Sequence, residues 1–153
     1  MVAAFVARRP ARHARLILGA YTFGATLASL LAIVGYFGLI PEATAWFTLH
    51  QRASGTFKDP NVFGPFLIPP IIYLLHRVLT RSLGRAMLVA AWMVLLVFGV
   101  LLSFSRGAWI NLGVAVMIFG YLTFVTASTN LQRVKILLGA MSAIMLGMIT
   151  IGV

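Results

Sequence analysis

Long apolar runs separated by short charged punctuation dominate this chain. The runs extend from about Leu16 to Ile40, Pro60 to Leu79, Ala86 to Phe104, Ala108 to Val125, and Ile136 to Val153. Each approaches the ~20 residues that a helix needs to cross a bilayer. The pattern predicts an all-α, polytopic transmembrane helix bundle of about five spans, with residues 1–153 forming one membrane domain. The chain is 61% hydrophobic and 9% charged. Soluble domains carry roughly 25% charged residues, so lipid and neighbouring helices are the expected surroundings of most side chains.

Charge then sets a predicted orientation. Arg8, Arg9, Arg12 and Arg15 precede the first run, Arg77, Arg81 and Arg85 follow the second, and Arg133 and Lys135 follow the fourth. These alternate segments hold nine of the 12 lysines and arginines. The positive-inside rule places them, and the N-terminus, in the cytoplasm, with Val153 near the outer face. The same distribution explains the net charge of +10 by topology, and no nucleic-acid partner is expected. The first run, of about 25 residues, exceeds the 7–15 of a signal-peptide core, so it is read as a retained span.

Local signals refine the spans. Asp59-Pro60 reads as a helix start, with aspartate at the N-cap and proline at the first helical position. Pro69 and Pro70 should kink the second span and free carbonyls that must find partners inside a bundle. Gly139, Ala143 and Gly147 recur at four-residue spacing, as on a close-packing helix face. Trp46 and Phe47 have the character of interface anchors.

Three basic residues break the charge bias: Arg52, Lys58 and Arg106. Snorkelling toward lipid phosphates is one reading of them. The other is an anion site. Arg106 interrupts an apolar sequence, has Ser103, Ser105 and Gly107 beside it, and sits where charge is expensive unless used. Arginine grips phosphate with paired hydrogen bonds, and two arginines from separate loops could hold a pyrophosphate. His50, the one histidine on this side, is a weak candidate for a general base. Glu42 and Asp59 are the only carboxylates and lie 17 positions apart, a poor fit to a glycosidase acid pair. There are no cysteines, and neither a metal cluster nor a cofactor motif is expected.

Two stretches resemble the O-antigen ligase and O-antigen polymerase family. Arg52-Ala-Ser-Gly-Thr-Phe-Lys-Asp-Pro-Asn61 is similar to its "R-x-x-G-x-F-x-x-P-N" segment, and Ser103-Phe-Ser-Arg-Gly107 to its "S-x-S-R-G" segment. The resemblance covers about Arg52 to Trp109. It implies metal-independent, inverting glycosyl transfer at the outer face of a bacterial inner membrane. The donor would be a glycan on undecaprenyl pyrophosphate, and the acceptor lipid A–core or another glycan. Arg106 would face the donor pyrophosphate, and Arg52 corresponds to the arginine that opens the first motif. Lys58, at an unspecified position of that motif, is a further candidate from its charge. Family members have ten or more spans and a large periplasmic loop that carries a catalytic histidine. No such loop occurs before Val153, and His50 matches no family histidine. The expectation is therefore the central part of such an enzyme, incomplete and inactive alone. The alternatives are a small membrane scaffold, or an accessory or transporter subunit.

Overall fold

Asp59 and Pro60 start a helix as the sequence predicts. In the computed structural model, which describes residues 10–126, Asp59 is extended (φ −133°, ψ 125°) and its carboxylate accepts from the Asn61 N–H at 2.7 Å. The order of elements is α1 (Pro10–Tyr36), α2 (Pro41–Phe47), β1 (Thr48–Leu49), β2 (Arg52–Ala53), α3 (Pro60–Phe66), α4 (Ile68–Thr80), α5 (Leu83–Leu102) and α6 (Arg106–Thr126). Four described segments are long and apolar enough to cross a membrane: Ala11–Tyr36, Pro60–Thr80, Leu83–Leu102 and Arg106–Thr126. The fold is thus the all-α, membrane-type bundle that the hydropathy pattern predicts. The expected fifth span and its Gly139–Ala143–Gly147 face lie outside the described residues.

The first span differs from its prediction at both ends. It begins at Pro10, ahead of the apolar run, so Arg12 and Arg15 are helical. It ends at Tyr36, four residues before Ile40. The Leu39 N–H bonds the Val34 carbonyl and the Gly38 N–H bonds the Gly35 carbonyl. This is a Schellman stop with Gly38 at φ +61°, a conformation that favours glycine.

The second span is broken at Leu67, between α3 and α4. Pro70 has no N–H to give the carbonyl of Phe66, four residues earlier. The Tyr21 hydroxyl donates to that carbonyl instead, at 2.8 Å, and its ring lies 4.9 Å from the Phe66 ring. The freed carbonyl therefore finds its partner across the helix interface, as the bilayer requires.

Contacts fix the directions of the helices. Trp92 Nε1 donates to Thr26 Oγ1 at 2.6 Å, and Tyr36 stacks on Phe104 at 6.2 Å. Positions therefore rise together along α1 and α5, which run parallel. The Tyr21–Phe66 bond, together with Gly55, where a Cβ would meet both Ala28 and Phe63, sets the α3–α4 segment antiparallel to α1. Small residues fill the seam, with Ala25, Ala28, Ser29 and Ala32 buried. Larger ones such as Phe23, Leu27, Leu88 and Val94 are exposed. Along α1, small residues face inward and larger ones outward, as expected where the solvent is hydrocarbon and association depends on close packing. Phe63, Leu67, Ile71, Leu74, Leu96 and Val100 from the other spans fill the core against them. From Gly113 onward, α6 belongs to a second compact unit, an apolar helical stretch within the described residues.

Candidate functional site

The predicted loop between the first two spans has structure of its own. Pro41 opens α2 at its first helical position, with Glu42 in the first turn, where a carboxylate complements the helix dipole. The Thr44 hydroxyl donates to the Gly35 carbonyl at 2.9 Å and ties α2 to the end of α1. Phe47 also lies on α1: a Cβ on Gly35 would come within 2.7 Å of the Phe47 Cβ. Trp46 is exposed, so of the two expected interface anchors only Trp46 projects from the protein.

A two-strand hairpin follows, pairing Thr48 with Ala53 and Leu49 with Arg52. Its turn residues, His50 and Gln51, have φ of 51° and 60°. That is the type I′ geometry usually given to Asn-Gly. The hairpin delivers Arg52 to the second motif. Arg52 Nε donates to the Ser103 carbonyl at 2.8 Å, and Nη2 donates to Asn61 Oδ1 at 2.9 Å. Ser103 is the C-cap of α5, whose final carbonyls lack helical partners and carry the negative end of the dipole. Arg52 is therefore a C-terminal cap for α5 and a link to the start of α3. Three of its five N–H groups remain for other partners.

The Ser103–Ser105 turn is built from its own hydroxyls. Ser103 Oγ donates to the Val100 carbonyl at 2.6 Å and accepts from the Ser105 N–H at 3.3 Å. Ser105 Oγ accepts from the Ala108 N–H at 3.3 Å and so caps α6. Phe104, between them, is at φ 47°. Gly64 packs directly beneath: a Cβ there would lie 2.6 Å from the Ala108 Cβ and 2.9 Å from Ser103 Oγ. Close backbone approach thus falls at Gly64, whereas a Cβ on Gly107 would meet only Ser105 Oγ, at 4.0 Å.

Arg106 is exposed at the first position of α6, and it has no hydrogen-bond or ionic partner among the described residues. No acidic residue lies in that first turn. A cation beside the positive end of a helix dipole is unfavourable by about 0.3–1 kcal/mol, so an anion is the natural complement of this corner. Lys58 is exposed.

Beside Arg52 is a cleft of about 570 Å³. His50, Gln51 and Phe104 line it with Arg52, and Tyr36, Thr44 and Thr48 complete its wall. His50 and Arg52 are thus brought together, while Lys58 and Arg106 lie outside the lining. Tyr36, Thr44, Thr48, Gln51 and Phe104 were not among the residues singled out from the sequence. Their contribution depends on the hairpin, on the end of α1 and on the turn after α5, and of the five only Phe104 falls within a motif, at an unspecified position. Asn61 and Ser103 were visible as motif positions, but not as ligands of Arg52. Among the described residues no group of acidic or histidine side chains is placed to hold a metal ion. Comparison with known proteins adds no relative: no protein-family model, no curated protein and no solved structure matches this chain.

Proposed function

We propose that this chain takes part in glycan transfer at a bacterial inner membrane, holding an undecaprenyl-pyrophosphate-linked glycan at the bundle end that carries Arg52 and Arg106. In this reading the N-terminus is cytoplasmic, the site faces the outer side, and the acceptor is lipid A–core or another glycan. The supporting observation is the Arg52–Ser103 bond. The two stretches that resemble the O-antigen ligase and polymerase family are 51 positions apart, and this bond makes them neighbours. Structural capping alone would account for Arg52. It does not account for Arg106, a guanidinium three residues beyond Ser103 with no partner among the described residues.

The chemistry suits such a corner. An acceptor oxygen bonds to the anomeric carbon as the carbon–oxygen bond to pyrophosphate breaks. The acceptor proton passes to a base, and negative charge grows on the leaving pyrophosphate. Arginines positioned at that group interact more strongly as the charge develops, which lowers the barrier rather than merely tightening binding. Arg106 is the free grip, Arg52 offers its remaining N–H groups from a fixed frame, and Lys58 adds nearby charge.

The test is Arg106→Ala in protein reconstituted in nanodiscs, with undecaprenyl pyrophosphate as the probe. A charged hydrogen-bond pair is worth about 1.5–3 kcal/mol, so affinity should fall by about 10- to 100-fold while insertion and thermal unfolding hold steady. Unchanged affinity at normal abundance would overturn the assignment.

A further inference from the structure

The described residues include three non-glycine positions with positive φ: His50, Gln51 and Phe104. All three line the cleft beside Arg52. Left-handed backbone at ordinary residues is unfavourable and concentrates where function requires it. The hairpin makes the point most sharply, because a type I′ turn is best served by Asn-Gly. A His-Gln turn sacrifices local preference and gains two hydrogen-bonding side chains at the cleft. Conflict between local preference and fold is expected at functional sites.

The lining defines what would fit. It contains no carboxylate, so a cationic ligand has no counterion. Its one permanent charge, Arg52, stands at the wall shared with the second motif. The remaining polar groups carry no permanent charge. Gln51 and His50 can each both donate and accept. The Thr44 and Thr48 hydroxyls spend their protons on the Gly35 and Thr44 carbonyls, so they present lone pairs. Phe104, 49% exposed, offers an apolar ring face. The volume of about 570 Å³ is within the range of small-ligand sites. A sugar ring, with an apolar C–H face, hydroxyls around its edge and a link to an anion, satisfies all of these demands.

We infer that this cleft is a saccharide subsite, holding the sugar attached to the anionic group with its apolar face on Phe104 and its hydroxyls on Gln51 and His50. The inference rests on the lipid-pyrophosphate reading above and adds to it the residues that recognise the sugar.

The experiment uses the full chain in nanodiscs and two probes, undecaprenyl pyrophosphate and the same lipid carrying one N-acetylglucosamine. The wild-type protein should bind the glycosylated probe about tenfold more tightly than the bare one. The double substitution His50→Asn, Gln51→Gly installs the preferred turn. It should raise the unfolding temperature, leave affinity for the bare lipid unchanged, and abolish the tenfold preference. Equal binding of both probes to the wild type, or a preference that survives in the variant, overturns the subsite while leaving the pyrophosphate reading intact. Failure of the wild type to bind either probe overturns both. Free N-acetylglucosamine that competes only with an acceptor saccharide, and not with the glycosylated lipid, would give the cleft to the acceptor and overturn the inference.

Discussion

Arg52 and Ser103 are joined by a 2.8 Å hydrogen bond from the guanidinium Nε to the carbonyl oxygen at the end of α5. The same side chain reaches Asn61 through Nη2. A lysine ammonium keeps the charge but lacks the planar fork that serves two fixed acceptors. Arg52→Ala should destabilise by about 2 kcal/mol and Arg52→Lys by about 1 kcal/mol, read by thermal unfolding in nanodiscs. An alanine variant as stable as the wild type would show that the link contributes nothing.

Gly64 is expected to tolerate no side chain. A Cβ placed 2.6 Å from the Ala108 Cβ forces α3 away from the first turn of α6. Overpacking of this kind typically costs about 1–3 kcal/mol. Ala108→Gly in the same molecule removes the colliding atom and should recover part of the loss. Additive destabilisation by the two changes, measured as unfolding temperatures, would contradict the packing argument.

Tyr21→Phe removes the donor that serves the Phe66 carbonyl. Interhelical hydrogen bonds in membrane proteins average about 0.6 kcal/mol and reach about 1.7. A loss near 1 kcal/mol is expected, because the acceptor lies inside the bundle. Pro70→Ala restores an N–H four residues after that carbonyl, so it should lessen the penalty of Tyr21→Phe. If Pro70→Ala is equally harmful with Tyr21 or Phe at position 21, the carbonyl is not the reason for the tyrosine.

Ser29 is fully buried, and its hydroxyl has no hydrogen-bond partner among the described residues. A buried hydroxyl left unpaired opposes folding. Ser29→Ala should therefore be neutral or stabilising by up to about 1 kcal/mol. A loss above 1 kcal/mol in the unfolding assay would mean that the hydroxyl is engaged.

The spans were legible because hydropathy acts over ~20 residues, and the start of α3 because a cap and a proline suffice to signal it. The proline break was legible too, but its partner Tyr21 was not, since that contact joins positions 45 apart. The hairpin at Thr48–Ala53 escaped for a different reason. Its strands are two residues each, and its turn lacks the Asn or Gly that normally announces one. Arg52 was visible as a basic residue outside the alternating basic segments. Its task as a helix cap emerges only from the pairing with Ser103. The cleft was invisible because Tyr36, Thr44 and Phe104 come from three separate elements, each ordinary in isolation.

The bracket formed by Arg52 and Ser103 makes the two ends of the intervening helical hairpin unequal. At one end only Arg81 and Ser82 separate α4 from α5, and both are exposed. At the other, a guanidinium closes a loop of some fifty residues through atoms of fixed position. Extra residues at Arg81–Ser82 would meet open surroundings, as insertions at exposed tips generally do. A single residue added between Arg52 and Asn61 would shift one ligand relative to the other and disengage the bracket. Length variation in this protein should therefore gather at the Arg81–Ser82 tip and be purged from the spacing between Arg52 and Asn61.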